Sequence, residues 1–243
     1  MVDIHCHILH QYDDGSPSLS ESLEMARMAA ESGVTDIAVT PHFVGKSSSL
    51  KDLPLLMDHF QELSQAIAAE RIPVTLHLGA EILCLPETAE LAQRKLLPTI
   101  GDTNYLLVEF CFDESLRYMD DMLRRIKSAG YTPIVAHPER YGAISRDPLV
   151  LKQWFRSGYV LQLNKGSILG AFGHRAERAA HIILEAGLAH IIASDAHSAS
   201  HRTPGMKSLH HWLGHNLSAG YARILTEENP RRILCGEALI PVD

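Results

Sequence analysis

Residues 2–7, VDIHCH, place two histidines one residue apart inside a run of strand-forming residues. Side chains two positions apart in a β-strand point to the same side, so His5 and His7 could hold one metal ion between them. A single His-x-His pair is weak evidence, because an isolated histidine is more often an ordinary surface or core residue. The interpretation depends on whether the rest of the chain supplies matching ligands.

Short β-branched or aliphatic runs alternate with longer segments of helical periodicity along the whole chain. The seven predicted strands are VDIHCH (2–7), VTDIAVTPH (34–42), PVTLHLGAE (73–81), YLLVEF (105–110), TPIVAHP (132–138), YVLQLN (159–164) and HIIASDAH (190–197). Several of the intervening segments open with Ser or Asp and close with Gly, as helix ends prefer. This alternation predicts a parallel α/β fold. Because no repeat or linker-like stretch interrupts it, we expect one domain over residues 1–243.

The polar or titratable residue of each predicted strand lies at or just past its C-terminal end. These residues are His5, His7, His42, Glu81, Glu109, His137, Asn164, Asp195 and His197. In a parallel barrel all of these ends open onto one face, where barrel enzymes carry their active sites. The sequence therefore predicts one site assembled from seven strands.

The types of candidate ligand restrict the choice of metal. Imidazoles combined with four carboxylates (Asp14, Glu81, Glu109 and Asp195) and no thiolate suit Mn²⁺, Fe²⁺ or Zn²⁺ in a reactive site better than a structural zinc. The eight histidines and carboxylates at the strand ends, together with Asp14, make nine candidate ligands, which are too many for one ion. Hydrolases use bridging carboxylates to hold two or three ions, with a bridging hydroxide as the nucleophile toward a phosphoryl group.

Composition excludes several other classes of protein. Hydrophobic residues make up 46% of the 243 residues, enough for a large core, and no apolar run is long enough for a membrane span. The formal net charge of -7 gives no broad basic face for nucleic acid. The four cysteines are scattered and form no C-x-x-C pair, which argues against disulfides and thiolate zinc. With strand-like sequence from Val2 onward and no secretory signal, we expect a cytoplasmic protein.

The motifs DIHCH, DDG, TPHF, GAEI, VEF, AHPERY and ASDAHS, in this order, resemble those of the polymerase and histidinol phosphatase (PHP) superfamily. Within it, DDG together with HPERY is similar to the manganese-dependent bacterial protein-tyrosine phosphatases of the CpsB/CapC capsule type. The resemblance covers the chain from Met1 to the NPRRIL segment. It implies a distorted (β/α)7 TIM-like barrel with a trinuclear metal centre at the C-terminal ends of the strands.

The resemblance also implies how the ligands divide among three ions. His5, His7, Glu81 and Asp195 would hold the first ion. Glu81 would bridge to a second ion held with Glu109 and His137. Asp14, His42 and His197 would hold the third. Asp13 could substitute for Asp14, because the two carboxylates are adjacent and DDG is also an ordinary turn sequence.

Two arginines are candidate catalytic residues. Arg140 follows His137 by three residues and Arg202 follows His197 by five, so both can overhang the metal face. A guanidinium binds phosphate oxygens in pairs and stabilises charge during phosphoryl transfer, and the resemblance implies this role for both. Tyr141 and Asn164 could act at the site or satisfy nearby backbone groups.

The predicted function is hydrolysis of phosphotyrosine in a protein, which the resemblance implies to be a bacterial tyrosine kinase that controls capsule or exopolysaccharide synthesis. One alternative is a small-molecule phosphoesterase such as a histidinol-phosphate phosphatase, which would need a deep pocket rather than an open metal face. Another is a metal-binding regulatory subunit without turnover.

Residues 111–117 fit the C-x5-R pattern of cysteine phosphatases, but the loop has no glycine and carries Asp113 and Glu114 where a phosphate would bind. The remaining histidines are expected to be surface or packing residues: His174, His181, His190, His210, His211 and His215 among them.

Overall fold

The computed structural model describes residues 1–241, over which parallel strands alternate with helices. The strands are β1 (Val2–Cys6), β2 (Asp36–Val39), β3 (His42–Val44), β4 (Thr75–Leu78), β5 (Glu81–Leu83), β6 (Tyr105–Glu109), β7 (Thr132–Ala136), β8 (Val160–Asn164) and β9 (Ile191–Ala193). The α-helices are α1 (Leu19–Glu31), α2 (Leu53–Ala69), α3 (Thr88–Gln93), α4 (Leu116–Ser128), α5 (Gly142–Arg146), α6 (Leu151–Arg156), α7 (Lys165–Ile168), α8 (His174–Glu185), α9 (Lys207–Asn216), α10 (Ala219–Arg223) and α11 (Asn229–Leu234). Within these residues no helix has both the length and the apolar character needed to cross a bilayer.

The strands pair in two parallel sheets, in the orders β1-β2-β4 and β3-β5-β6-β7-β8-β9. The predicted parallel α/β fold is confirmed, and the seven predicted strands are all present. Two of them are each divided into two segments, β2 with β3 and β4 with β5. The first break falls at Pro41, which has no N–H to donate to a neighbouring strand, and the second falls at Gly79 and Ala80.

Backbone hydrogen bonds also join the segment after β9 to β1. Asp195 N donates to His5 O and His7 N donates to Ala196 O, each at 2.8 Å. Cys6 and Ala196 form one isolated parallel bridge there. The strand order thus returns from the last strand to the first through a short connection, as expected for a distorted seven-stranded barrel.

Alternate side chains of the strands enter two different apolar cores. The inner core contains Val2, Ile4, Ala38, Tyr105, Leu107, Ile134, Ala136, Val160, Ile191 and Ala193. The residues between them, such as Leu106 and Ile192, pack in a second core with the helices. Since side chains repeat every two residues, the inner row that contains Leu107 continues to Glu109, and the row that contains Ala193 continues to Asp195. The inner face is therefore apolar below and polar at the C-terminal ends.

Strand β1 reaches the same arrangement through an irregularity. Its register against β2 shifts between Asp3 and Cys6, where β1 holds one residue more than its partner. Val2 and Ile4 lie in the inner core, but Cys6 lies in the outer one. A bulge of this kind reverses which side chains face inward. It turns His5 and His7 toward the interior above Ile4.

Serine caps start two of the crossover helices where the sequence suggested. The Ser18 side chain accepts a hydrogen bond from Glu21 N at the start of α1, and Ser115 accepts one from Tyr118 N at the start of α4. Such caps satisfy backbone donors that a helix leaves unpaired at its N-terminus. Helix α4 then buries Met119, Met122, Leu123 and Ile126 on one face. The two helices are thereby docked on the outside of the strands.

His190, just before β9, gives a test of this packing through pH. Its Nδ1 accepts a hydrogen bond from Leu161 N (3.1 Å) and its ring stacks on Phe155. Burial lowers the pKa of His190 to about 4, from an ordinary value of 6.5. The neutral imidazole therefore stabilises the fold above pH 6.5, and this contribution is lost as pH falls from 6.5 to about 4.

We expect the free energy of unfolding to show this loss when the parent chain is compared with His190→Asn, whose amide oxygen can still accept from Leu161 N. Relative to the variant, the parent should lose up to about 3 kcal/mol between pH 6.5 and 4. Denaturant unfolding at several pH values measures the difference. Parallel pH dependences of the two proteins would contradict a neutral, buried His190.

Candidate metal centre

Glu81 is the centre of the polar cluster at the strand ends. It opens β5, its side chain is 1% exposed, and its two oxygens contact four imidazoles. The contacts are His5 Nε2 at 3.3 Å, His7 Nε2 at 3.3 Å, His42 Nδ1 at 3.1 Å and His137 Nε2 at 2.9 Å. A buried carboxylate requires positive charge or hydrogen-bond donors around it. Glu81 therefore draws candidate ligands from three places, the end of β1, the start of β3 and the end of β7, to one point.

The nine residues expected as ligands lie together at this face. Three groups have donor atoms within 4.8 Å of one another: His5, His7 and Glu81; His42, Glu81 and Glu109; and His7, Asp14, His42 and His197. Asp195 adjoins the first group, with Oδ1 at 3.5 Å from His5 Nε2 and 3.6 Å from His7 Nε2. Imidazole nitrogens mixed with carboxylate oxygens suit Mn²⁺, Fe²⁺ or Zn²⁺. The donor set thus fits a polynuclear metal centre.

His42 links two of these groups, which differs from the division that the family resemblance implies. Its Nδ1 lies 3.1 Å from both Glu81 and Glu109, while its Nε2 lies 3.4 Å from Asp14. His137, expected at the same ion as Glu81 and Glu109, contacts Glu81. The two ring nitrogens of His42 point away from each other, so Nδ1 faces Glu81 and Glu109 while Nε2 faces Asp14. The allocation of ligands to individual ions remains a prediction.

Asp13 and Asp14 have different surroundings. Asp13 Oδ2 lies 2.7 Å from His7 Nδ1 and accepts from His42 N at 2.8 Å, and its Oδ1 accepts from Gly15 N at 2.9 Å. Asp14 is 67% exposed and directs Oδ1 toward His42 Nε2 and His197 Nε2. Since the oxygens of Asp13 are already engaged in orienting His7, Asp14 is the better candidate ligand.

Gly15 completes the DDG turn by a close approach to the site. A Cβ at this position would lie 2.2 Å from His7 O and 2.7 Å from His7 Cβ. Contacts this short do not occur between real side chains and backbone. The turn that presents Asp13 and Asp14 can therefore pack against His7 only with glycine here.

The carboxylates of the cluster stabilise positive charge on the imidazoles. Burial by itself would lower the pKa of His5, but Glu81 and Asp195 raise that pKa to about 9. Burial would also lower the pKa of His42, but hydrogen bonds to Glu109 and Glu81 raise that pKa to about 11. Burial would raise the pKa of Glu81, but the imidazoles, His5 first among them, hold it well below its usual range. Protons and divalent cations therefore compete for the same donors.

Asp195 holds both candidate catalytic arginines. Arg140 donates from one guanidinium nitrogen to Asp195 Oδ2 at 3.4 Å, and Arg202 forms an ion pair with the same oxygen. Burial would raise the pKa of Asp195, but His5, His137 and Arg202 lower it to about 2. Two cationic side chains thus lie at the edge of the donor cluster.

Two candidate ligands have left-handed backbone conformations. His137 has φ 36° and Asp195 has φ 51°, directly after β7 and shortly after β9. Such angles are uncommon for residues other than glycine and cost of the order of 1 kcal/mol or more. Both turns direct the side chain back toward the cluster. The fold accepts this strain at two positions that supply donors to the site.

Two buried amides that sequence reasoning did not assign also support the site. Gln162 Oε1 lies 2.9 Å from His5 Nδ1, and Asn164 Nδ2 donates to Asp195 Oδ2. Asn164, left undecided from the sequence, also caps α7 by accepting from Gly166 N. Gln162 and Asn164 follow Val160 at two-residue spacing, so they continue its inward-facing row on β8. This spacing is the sequence signal that could have identified them. These amides orient a candidate ligand each.

The other residues considered from the sequence lie outside the donor set. Tyr141 is buried and its hydroxyl accepts from Phe110 N, so it satisfies a backbone group. Cys111 is exposed, and all four cysteines are free. His181 stacks on Trp212, and His190 on Phe155. His211 and His215 contact each other on α9.

Known proteins with similar sequences are described as tyrosine phosphatases. A family model for capsular polysaccharide synthesis, CpsB/CapC, matches residues 1–235. Tyrosine-protein phosphatase YwqE of Bacillus subtilis (strain 168) is 37% identical over 204 residues, covering 83% of this chain and 79% of that protein. Tyrosine-protein phosphatase CpsB of Streptococcus pneumoniae is 28% identical over 246 residues, covering 98% of this chain and 100% of the other.

A solved structure extends the similarity to three dimensions. It comes from a study of YwqE from Bacillus subtilis and CpsB from Streptococcus pneumoniae, described as unique metal-dependent tyrosine phosphatases. It superposes with a TM-score of 0.88 at 31% sequence identity and covers 99% of this chain and 96% of that one. The fold and strand arrangement are therefore shared over essentially the full length.

The different roles of Asp13 and Asp14 can be separated by metal analysis. Asp14→Asn removes a charged donor, so we expect it to bind about one ion fewer per chain even at saturating Mn²⁺. Asp13→Asn disturbs the orientation of His7, so it should weaken binding by about 10- to 100-fold but regain the full number of ions at saturation. Titration calorimetry with elemental analysis measures both. The reverse pattern would make Asp13 the ligand.

Proposed function

The chain belongs to the CpsB/CapC family of capsular polysaccharide synthesis proteins, and from this premise we propose that it is a metal-dependent protein-tyrosine phosphatase. The family predicted from the motifs is thereby confirmed. The reaction is hydrolysis of a phosphoric monoester. We further propose that three ions are bound, since the donors form three groups, and that they are manganese, as the resemblance to manganese-dependent phosphatases implies. The same ligands also suit Fe²⁺ or Zn²⁺.

The observation that carries the proposal is the convergence of nine donor residues and two arginines on one face. Glu81 and Asp195 are the buried carboxylates around which the donors gather. Arg140 and Arg202 both contact Asp195 from the outer side. A site that combines divalent cations with guanidinium groups matches the charge of a phosphoryl group better than that of a neutral substrate.

Each part of the site has a defined task in this reaction. Divalent ions held by the imidazoles and carboxylates would lower the pKa of water and neutralise charge on phosphoryl oxygens. Arg140 and Arg202 donate N–H groups to the same oxygens and hold the phosphoryl group in place as negative charge develops on it. Gln162 and Asn164 keep His5 and Asp195 in position. The leaving tyrosine phenolate, with a pKa near 10 for its conjugate acid, needs less help from an acid than an alkoxide would.

The accessibility of the site supports a protein substrate. Asp14 is 67% exposed, His42 is 37% exposed and Arg202 is 31% exposed. The outer side of the cluster therefore reaches the molecular surface. An open face of this kind can receive a phosphotyrosine that projects from a polypeptide, whereas a histidinol-phosphate phosphatase would need a pocket that encloses a metabolite.

The family's connection with capsule synthesis supports a more specific substrate. We propose that the phosphotyrosine belongs to a bacterial tyrosine kinase that controls capsule or exopolysaccharide assembly. We place this reaction in the cytoplasm, where four free cysteines remain reduced. Cys111 takes no part in it, because the nucleophile is water.

The first test compares substrates with one manganese-loaded preparation. We expect phosphotyrosine peptides to be hydrolysed with a higher kcat/KM than phosphoserine peptides or histidinol phosphate. Removal of metal by a chelator should abolish turnover, and Mn²⁺ should restore it. A preference for histidinol phosphate would favour the small-molecule alternative, and absence of turnover with every substrate would favour a regulatory subunit.

Two variants control for the chemistry in the same assay. Cys111→Ser should keep most of the activity, since the thiol lies outside the donor set. His5→Ala should lose nearly all activity because it removes a donor next to Glu81. Loss of activity in Cys111→Ser, or a trapped phosphocysteine, would contradict the proposed mechanism.

Arg140 tests the part played by the guanidinium groups. If it acts mainly on charge that develops in the transition state, Arg140→Ala should lower kcat by about 10²-fold or more. Arg140→Lys should restore only part of this loss, because an ammonium lacks the planar pair of donors. Arg156→Ala, at an exposed arginine that ends α6, is the matched control and should change nothing.

Metal content separates catalysis from structure in this experiment. Arg140→Ala should retain the metal content of the parent chain, measured by elemental analysis, because a guanidinium is not a metal ligand. Near-normal kcat/KM in Arg140→Ala, or loss of metal together with activity, would contradict the role given to Arg140.

A further inference from the structure

A cleft of about 570 Å³ lies beside the metal centre. Its lining includes Arg140, Phe112 and Phe172, here called the inner end because Arg140 contacts Asp195, and the exposed Arg146 and Arg175, here called the outer end. Its volume is within the range of ligand-binding pockets. The cleft shares Arg140 with the catalytic face but contains none of the proposed metal ligands, so the metal centre does not account for it.

At the inner end, two phenylalanines hold the guanidinium of Arg140. The guanidinium carbon lies 4.6 Å from the ring centroid of Phe112 and 4.3 Å from that of Phe172. Arg202 lies 5.5 Å from the same Phe172 ring. Stacking leaves the edge of a guanidinium available to bind an anion while its faces are covered. The cleft therefore opens directly from the point where the phosphoryl group would bind.

The wall formed by Phe112 is both exposed and fixed in place. Phe112 is 48% exposed, whereas the other five phenylalanines are buried or half-buried. Its carbonyl accepts a hydrogen bond from Gly142 N at 2.7 Å, and its ring lies 6.1 Å from the ring of His137. The loop that carries it is thus tied to α5 and to the metal face. The ring of Phe112 therefore borders both the cleft and the proposed metal ligand His137.

At the outer end, the cleft is basic although the chain as a whole is acidic. Arg146 ends α5, and Arg175 lies in the first turn of α8; both are exposed. Over residues 1–241 neither guanidinium takes part in an ion pair, whereas nine other arginines do. The acidic residues of the lining are Asp113 and the buried Glu139, whose Oε1 accepts from Asn164 N. Arg146 and Arg175 therefore leave positive charge available at the outer end of the cleft.

We propose that this cleft receives the substrate segment next to the phosphotyrosine, and that Arg146 and Arg175 select a negatively charged group in that segment. The inference rests on the proposed function, since it extends the same site to neighbouring residues of the substrate. The negative group can be an aspartate or glutamate side chain or a second phosphotyrosine. Recognition by two exposed charges of this kind changes the specificity constant by a few-fold to about tenfold.

The test uses the manganese-loaded full chain and four probes. One is p-nitrophenyl phosphate, which has no flanking residues, and the others are phosphotyrosine peptides that differ only in their neighbours: glutamates, glutamines or a second phosphotyrosine. For the parent chain we expect kcat/KM to be about three- to tenfold higher for the glutamate peptide than for the glutamine peptide. Raising the salt concentration should reduce this ratio, because exposed charges are screened.

The variant Arg146→Gln/Arg175→Gln should bring the ratio close to one and leave p-nitrophenyl phosphate hydrolysis unchanged. The control Arg156→Gln/Arg178→Gln removes the same charge from two exposed arginines outside the cleft and should keep the ratio of the parent. If only the second phosphotyrosine is favoured, the selected group is a phosphate, and the assignment of the cleft stands.

Three results would overturn the proposal. They are equal kcat/KM values in the parent chain for the glutamate, glutamine and second-phosphotyrosine peptides, an unchanged preference for the negatively charged peptide in Arg146→Gln/Arg175→Gln, and an equal loss of that preference in the control variant. Failure of the proposed function itself looks different, since the parent chain would then hydrolyse neither p-nitrophenyl phosphate nor any phosphotyrosine peptide. In that case the subsite is wrong together with the function.

Discussion

The charge of the buried Glu81 carboxylate is the constraint around which the functional face is built. It is inside the protein, and an isolated charge there would be strongly destabilising. Four imidazoles surround it within 3.3 Å, two from the end of β1 and one each from the start of β3 and the end of β7. Each imidazole can be there only if its strand has the right register, so the electrostatic requirement at one residue restricts the whole arrangement of the strands.

The strands meet this requirement by keeping two layers separate. Inner side chains are apolar from Val2 to Ala193 at the lower level and become polar at the C-terminal ends. The apolar layer stabilises the fold through packing. The polar layer contains buried carboxylates, which are stabilised by the imidazoles and arginines around them and not by apolar packing. The separation means that the site can carry strained residues, such as His137 and Asp195 in left-handed conformation, without disturbing the inner core.

The second buried carboxylate, Asp195, connects the ligands to the substrate. It contacts His5 and His7 on one side and Arg140 and Arg202 on the other. The same residue thus relates the position of the metal ligands to that of the groups proposed to bind phosphate. Phe112 and Phe172 extend this arrangement outward, because they cover the faces of Arg140 and form the start of the basic cleft.

The sequence by itself determined the parallel α/β fold, the seven strands and the family, since hydrophobic periodicity and motif order are local properties of the chain. It also indicated which residues gather at the site, because strand ends in a parallel fold share one face. Only the tertiary structure decided how they are oriented. The extra residue in β1 turns His5 and His7 inward, and contacts of Asp13 with His7 and His42 distinguish it from Asp14. Phe112 and Phe172 acquire their roles from residues distant in sequence, and such contacts have no local signature.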